Sequence, residues 1–199
     1  MKYCTVKEHY DLLIDEGNDP VHDPDVLKAY MDRWDGDTFI KALELAKDKR
    51  VLEIGVGTGR LALRTAPFSE SFTGIDISEK TIERAKENMR DCRNVKLIPG
   101  DFLTHEFSEK YDVIYSSLTF MHIEDKGTAL KKAAKLLKKG GRIVISIDKD
   151  PSSVIEYGER AVKIFPCDPD DMCTAVKEAG LFDINIFETE FAYIICAKK

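Results

Sequence analysis

Residues 51–60 read Val51-Leu-Glu-Ile-Gly-Val-Gly-Thr-Gly-Arg60. Val51, Leu52 and Ile54 have the composition of a buried strand. Gly55, Gly57 and Gly59 follow as a turn, and Arg60-Leu-Ala-Leu-Arg-Thr-Ala66 reads as the start of a helix. Alternate glycines meet two needs: backbone at positive φ, and a residue without Cβ against which a ligand can lie. The N-terminus of the following helix offers unpaired N–H groups. Strand, glycine turn and helix in this order make a nucleotide-type site, and the spacing bears on which nucleotide.

A dinucleotide fingerprint is Gly-x-Gly-x-x-Gly, or Ala at the last place. Counted from Gly55, that last place is Arg60, too large for close helix–strand contact. The pattern present is Gly-x-Gly-x-Gly, with Glu53 two residues before it. A second acid, Asp76, closes the next strand, Phe72-Thr-Gly-Ile-Asp76, where a carboxylate can take both hydroxyls of a ribose. No lysine follows Gly59, so this is not a Walker P-loop.

On these motifs the chain resembles the class I S-adenosylmethionine-dependent methyltransferases. In that family the Glu-x-Gly-x-Gly-x-Gly turn passes beside the methionine part of the cofactor, and the acid after the second strand binds the ribose. The resemblance runs from about residue 40 to residue 199. It implies a doubly wound, Rossmann-like α/β fold: a seven-stranded, mostly parallel sheet with an antiparallel C-terminal hairpin strand. It also implies S-adenosylmethionine as cofactor, S-adenosylhomocysteine as product, and no metal. Carried onto this sequence, the cofactor-binding residues are Glu53, Gly55, Gly57, Gly59, Asp76 and Ile77. Asp101 is expected at the adenine amino group, Phe102 over the ring, Ser116 at the end of the fourth strand, and Tyr10 at the carboxylate end.

The bulk properties narrow the class. A chain of 199 residues, 43% hydrophobic and 33% charged, suits one soluble globular domain. Residues 1–38 read as an N-terminal helical lid segment and residues 39–199 as the methyltransferase domain, compact as a whole. A net charge of −6 gives no general footprint for nucleic acid. Lys131, Lys132, Lys135, Lys138 and Lys139 are spaced as one solvated helix face. Cys4, Cys92, Cys167, Cys173 and Cys196 form no C-x-x-C pair, which indicates reduced thiols in a cytoplasmic protein. No signal segment or long apolar run is present. The expected partner is a small-molecule substrate, with no nucleic acid and no membrane, for a monomer or homodimer.

Further elements follow from periodicity and capping. Residues 1–38 carry Tyr3, His9, Tyr10, His22, Tyr30 and Trp34 among many acids, with short helices at 11–15 and 25–34. They are not expected to join the sheet; in look-alike proteins such a segment packs over the cofactor and shapes the substrate pocket. Residues 38–47 are amphipathic at helical spacing. Ser78 is a good N-cap for a helix over 79–89. A strand at 95–98 is joined by a link of about ten residues to a strand at 111–117, near the lower limit for a parallel crossover. A helix is expected from about Asp125 to Lys139 with Gly140 as its cap, then a buried strand at 142–147. A helix at 170–179 precedes two runs, 183–188 and 191–196, that pair antiparallel.

Methyl transfer from a sulfonium is a direct displacement, so the protein mainly aligns nucleophile, methyl and sulfur. The site then lies beyond the C-terminal ends of the first, fourth and fifth strands, at residues 55–59, 116–122 and 148–164. His122 is the candidate base or pocket-shaping residue there. Tyr157 and Arg160 are candidates for the substrate pocket, and Arg160 suits an acidic group. Ser116-Ser-Leu-Thr119 stands where a DNA amino-methyltransferase carries Asn-Pro-Pro-Tyr. Pro166-Cys167 lies after the fifth strand, the wrong place for a cytosine C5 nucleophile. A catechol-type metal site lacks carboxylates before Glu124. The reading is a methyltransferase acting on an O, N or C nucleophile of a small molecule. Its alternatives are a non-catalytic cofactor-binding regulatory protein, a nicotinamide-dependent oxidoreductase, or an aminopropyl-type transferase using Asp19, Asp23 and Asp25.

Overall fold

The computed structural model describes residues 1–199. In chain order the elements are β1 (Lys2–Cys4), α1 (Val6–Asp15), α2 (Asp25–Met31), α3 (Gly36–Ala42), β2 (Arg50–Ile54), α4 (Ala62–Thr65), β3 (Ser71–Asp76), α5 (Glu79–Asn88), β4 (Val95–Pro99), β5 (Tyr111–Ser116), α6 (Lys126–Leu136), β6 (Leu137–Asp148), β7 (Val154–Tyr157), β8 (Arg160–Lys163), α7 (Pro169–Glu178), β9 (Phe182–Glu188) and β10 (Ala192–Lys198). Seven of the strands form one sheet in the order β4-β3-β2-β5-β6-β10-β9. β10 runs antiparallel to both neighbours, and the other pairings are parallel. Strand order reverses between β2 and β5, so the crevice beyond their C-terminal ends is where such a sheet binds ligands.

Both faces of the sheet are covered, as a parallel sheet requires. Side chains alternate along β2: Leu52 and Ile54 join one core cluster, Val51 the other. Leu130 of α6 and Met172 and Val176 of α7 fill the first cluster. Phe39 of α3, Ala62 of α4 and Ile82 of α5 fill the second. Most of the helices are started by side chains. Ser78 accepts from Thr81 N–H at 3.0 Å to begin α5, and Asp125 from Thr128 N–H at 2.9 Å to begin α6.

Several boundaries differ from the sequence-based expectation, each for a local reason. α6 stops at Leu136, because Leu137 already pairs with Tyr111 and β6 runs on for 12 residues. Lys138 and Lys139 are therefore strand residues, and Lys138 pairs with Asp112 at 2.6 Å. Lys132 is not merely solvated either; its Nζ donates to the carbonyls of Leu103 and His105. It thereby clamps the 100–110 link, which passes from edge strand β4 to central β5 without a helix. α3 starts at Gly36 and ends before Glu44, which lies at φ +45. α4 is a single turn that gives way to a 3-10 turn at Ala66–Phe68, where Pro67 has no N–H to continue the ladder.

The largest difference concerns the first residues. β1 pairs in parallel with β8, and β7 with β8 as a hairpin, so they form a second, three-stranded sheet. The N-terminal segment and the insert after β6 are thus one unit. α1 begins at Val6, not near Asp11, because Thr5 and Glu8 form a reciprocal capping box. It packs on α5, and Ser78 Oγ donates to Asp11 at 2.7 Å.

Ser78 therefore caps α5 and fastens α1 at the same time. Ser78→Ala is expected to lower unfolding free energy by about 1–2 kcal/mol, read from the midpoint of a urea titration. A loss within experimental error would show that the two bonds are replaced by water at no cost.

Candidate active site

A cavity of about 610 Å³ opens at the C-terminal ends of β2, β3 and β5. Its floor is the glycine turn. The N–H groups of Gly55 and Val56 both donate to Ile75 O, at 2.8 and 3.1 Å. Gly57 N–H donates to Asp76 Oδ2 at 3.0 Å. The turn is thereby pinned onto the end of β3. Gly55 sits at φ +77, and a Cβ there would fall 2.0 Å from Thr119 Oγ1. Gly57, at φ +56, has nothing within 4 Å of a Cβ position, and it lines the cavity. The space beside the turn is therefore at Gly57, while Gly55 makes room for a protein side chain. Gly59 lies against Met89 and does not line the cavity.

Asp76 takes one backbone donor on each oxygen, Gly57 N–H on Oδ2 and Ser78 N–H on Oδ1, both at 3.0 Å. Burial raises its pKa against those bonds. Each oxygen keeps a lone pair for a further donor. Ile77, Asp101 and Phe102 line the same cavity. Asp101 accepts from Leu103 N–H at 2.7 Å, which shapes its turn. The Phe102 ring is backed by the Lys132 ammonium, 5.4 Å from its centroid.

Glu53 forms part of the cavity wall and is 3% exposed. Tyr115 Oη donates to it at 2.8 Å, and burial pushes its pKa well above the usual carboxylate range. Arg60 does not start a helix. Its guanidinium pairs with both oxygens of buried Asp35, which also accepts from Ser117 Oγ at 2.8 Å. Ser117 reaches on to Ser146 Oγ at 3.0 Å. Ser117 lines the cavity and Ser116 does not: the Ser116 hydroxyl turns back to Ile54 O at 2.9 Å, fully buried. Ser116 is the last residue of β5, and Ser117, the first beyond it, turns to the cavity.

Tyr10 of α1 and His122 meet at the cavity edge, with Oη 2.9 Å from Nε2 and the rings edge-on. Burial lowers the His122 pKa to about 4 and raises that of Tyr10, so both are neutral at neutral pH. His122 Nδ1 is buried without a partner. Tyr157 and Arg160 lie elsewhere and line neither large cavity. The Arg160 guanidinium pairs with Glu16, donates to His9 Nδ1 at 3.3 Å and covers the Tyr157 ring at 4.6 Å. That arrangement fastens β8 to α1. Asp19 is committed to Asn88 and Arg84, not open to a ligand.

Val6, Pro20 and Met31 also line the cavity and were not read from the sequence. The Thr5–Glu8 capping box was the available signal for α1. A second cavity of about 290 Å³ meets the first at Leu118, which adopts φ +54. Ser146, Asp148, Asp150, Glu156, Ile155 and Phe165 are among its walls. No group of three or more His, Cys, Asp or Glu side chains gathers to hold a metal ion.

Comparison with known proteins places this geometry in a family. A family model described as a methyltransferase domain matches residues 45–166, more than half of the chain. An uncharacterized methyltransferase of Geobacillus sp. (strain WCH70) is 39% identical over 99 residues, 48% of this chain and 46% of that protein. The 27-O-demethylrifamycin SV methyltransferase of Amycolatopsis mediterranei is 28% identical over 165 residues, 73% of this chain and 58% of that protein. The chain spans about half the length of the curated relatives it matches. Among solved structures, N-methyltransferase NodS from Bradyrhizobium japonicum WM9, in complex with S-adenosylhomocysteine, superposes with a TM-score of 0.77. Its identity is 18%, with 98% of this chain and 99% of that one covered, a likeness of fold. With the seven-stranded sheet, its antiparallel β10 and the pinned glycine turn, the chain belongs to the methyltransferase domain family and has the class I S-adenosylmethionine-dependent methyltransferase fold.

Proposed function

We propose that the chain transfers a methyl group from S-adenosylmethionine to a small molecule by direct displacement. The observation that carries this reading is Asp76: a half-buried carboxylate, pinned by the turn it faces, with a lone pair free on each oxygen. That is the shape a ribose diol needs. Two further features fit the cofactor. A Cβ at Gly57 would meet nothing within 4 Å, and His122 Nδ1 is a buried polar atom without a partner in the cavity wall.

Bound there, S-adenosylmethionine supplies a methyl group already activated on sulfur. The work left to the chain is orientation, which supplies about 7–11 kcal/mol of barrier in favourable cases. Asp76 holds the ribose, Asp101 and Phe102 the adenine, and Glu53 faces the cationic amino end. The acceptor belongs in the 290 Å³ cavity beyond Leu118, whose size suits a small molecule. The relatives' names concern different acceptors, so the acceptor atom is set by that cavity's own walls. His122 is best read as a hydrogen-bonding group. A base with a pKa near 4 is neutral at working pH and a weak proton acceptor. When Tyr10 donates to Nε2, Nδ1 carries a proton to give; in the other tautomer Nδ1 accepts. Aminopropyl transfer would want free acids near the amine, and Asp19 is not free. No helix is long and apolar enough to cross a membrane. Five unpaired thiols favour a reducing compartment, the cytoplasm.

Thermal unfolding with S-adenosylmethionine, S-adenosylhomocysteine and NAD in turn tests the cofactor. At 100 times its Kd a ligand stabilises by about 2.7 kcal/mol, several degrees in a domain of this size. The sulfonium and its product are expected to raise the midpoint, and Asp76→Ala to remove the rise. A shift with NAD alone would overturn the proposal. Turnover on a panel of small acceptors then separates an enzyme from a binding protein; Tyr10→Phe is expected to lower kcat while cofactor affinity stays within about twofold, since only the bond to His122 is lost.

His122 also gives a stability signature. Its folded-state pKa is depressed, so the unfolded chain binds the proton first as pH falls. Stability is full above the unfolded value near 6.5 and declines toward about 4, by about 3 kcal/mol in all. Chemical unfolding at several pH values is expected to show this slope, and His122→Gln to flatten it.

A further inference from the structure

Glu53 is the most enclosed ionisable group of the cofactor cavity, and its hydrogen bonds have an unusual property. Tyr115 Oη lies 2.8 Å from Glu53 Oε2, and Thr65 Oγ1 lies 2.7 Å from Tyr115 Oη. Thr65 in turn reaches the carbonyls of Leu61 and Ala62, at 3.1 and 3.4 Å. All three side chains are buried, Tyr115 and Thr65 fully. The chain of hydroxyls can run in either direction. With Glu53 ionised, Tyr115 donates to the carboxylate and Thr65 donates to Tyr115. With Glu53 protonated, Glu53 donates to Tyr115, Tyr115 to Thr65, and Thr65 to Leu61 O. Neither state leaves a buried donor or acceptor without a partner, which is the condition a buried polar group must meet.

Other charges face Glu53 from every side. Arg60 of the turn favours the ionised form; Asp35 before α3 and Asp76 at the end of β3 oppose it. Tyr115 from β5 and Thr65 from α4 are neutral, and Tyr115 is held as a phenol by burial and by Glu53 itself. Arg60 is largely consumed by Asp35. The cavity thus presents more carboxyls than cations. A ligand with an ammonium or sulfonium changes that balance.

We infer that Tyr115 and Thr65 are positioning residues that hold Glu53 in either protonation state, so that binding of the cofactor's cationic end expels the Glu53 proton. The O–H bond of Glu53 breaks, the proton leaves to the buffer, and the hydroxyl chain reverses so that Tyr115 donates to the new carboxylate. This rests on the cofactor reading proposed above. Glu53 lies beside the cofactor; Tyr115 and Thr65 act only through it. The direction of the raised pKa agrees: in the free protein the proton is retained above the ordinary carboxylate range.

Titration calorimetry with S-adenosylhomocysteine, in two buffers of different ionisation enthalpy and from about pH 5 upward, reads the proton directly. The wild-type protein is expected to release protons on binding at the low end of the range. Its Kd should tighten by about tenfold per pH unit until the free protein is itself ionised, then level off. Glu53→Gln, which keeps the shape and cannot ionise, should bind with no proton release and no such pH dependence. Tyr115→Phe removes the donor to the carboxylate, so the levelling point should move to higher pH. Thr65→Val should move it the same way by less, and Thr65→Ser should restore it. Binding by the wild type without proton release overturns the inference and leaves the cofactor reading intact. Equal release from Glu53→Gln, or a Tyr115→Phe profile that superposes on the wild type, overturns it too. Absence of binding at every pH overturns both readings together.

Discussion

The pair of half-buried Arg60 and buried Asp35 is the constraint on which the rest of the site depends. Asp35 stands at the junction of the N-terminal segment and α3, and Arg60 ends the glycine turn. Burying two charges is expensive, and their attraction repays the cost only when the remaining hydrogen-bonding positions are filled. Here they are: Asp35 also accepts from Gly36 N–H and from Ser117 Oγ. Through Ser117 the network reaches Ser146 on β6, whose hydroxyl accepts from Leu118 N–H at 3.2 Å. One carboxylate thereby fixes the position of the turn, the end of β5 and the wall between the two cavities. A bulky residue at the sixth place of the turn is what a dinucleotide fingerprint forbids; in this fold it anchors the turn to the segment that roofs it.

Much of this was legible from sequence because each central strand carries its own local signal. Apolar runs at 51–54, 72–75 and 143–147 state a sheet buried on both faces. Ser78 and the acid at 76 state where β3 ends and α5 begins. The failures fall where tertiary pairing overrides local preference. Lys138 and Lys139 look helical, but β5 offers Tyr111 as a partner and the chain extends instead. Lys2–Cys4 has no strand signature long enough to read, and its partner lies about 160 residues away at β8. Ser116 ends β5 and Ser117 follows it, and a one-residue error at that boundary exchanges cavity for core.

The two cavities also differ in how much sequence could say about them. The first is built on backbone: glycine conformations, N–H groups and a carboxylate at a strand end, all of which a motif records. The second is built from side chains of β6, the β7 hairpin strand and residues 165–167, brought together only by folding. The fold therefore announces a cofactor and is silent about its acceptor, as expected when function is grafted onto a shared scaffold.

The roof of the first cavity has a mechanical character of its own. Its front, α1, is stitched down by Ser78 to Asp11, by Tyr10 to His122 and by the β1–β8 pairing. The stretch from Asp19 to Trp34 is fastened differently. Asp19 is held by Asn88 and Arg84 at one end; at the other, Asp32 is held by Arg64 at 3.0 Å and Trp34 by Asp148 at 2.9 Å. Between those ties lies α2, with no side-chain cap, seven residues in length and none of them buried. Yet Met31, its last residue, and Pro20, in the loop before it, line the cavity. Local opening free energy follows burial and hydrogen bonding, so the strap over the cavity yields at α2 before it yields at α1.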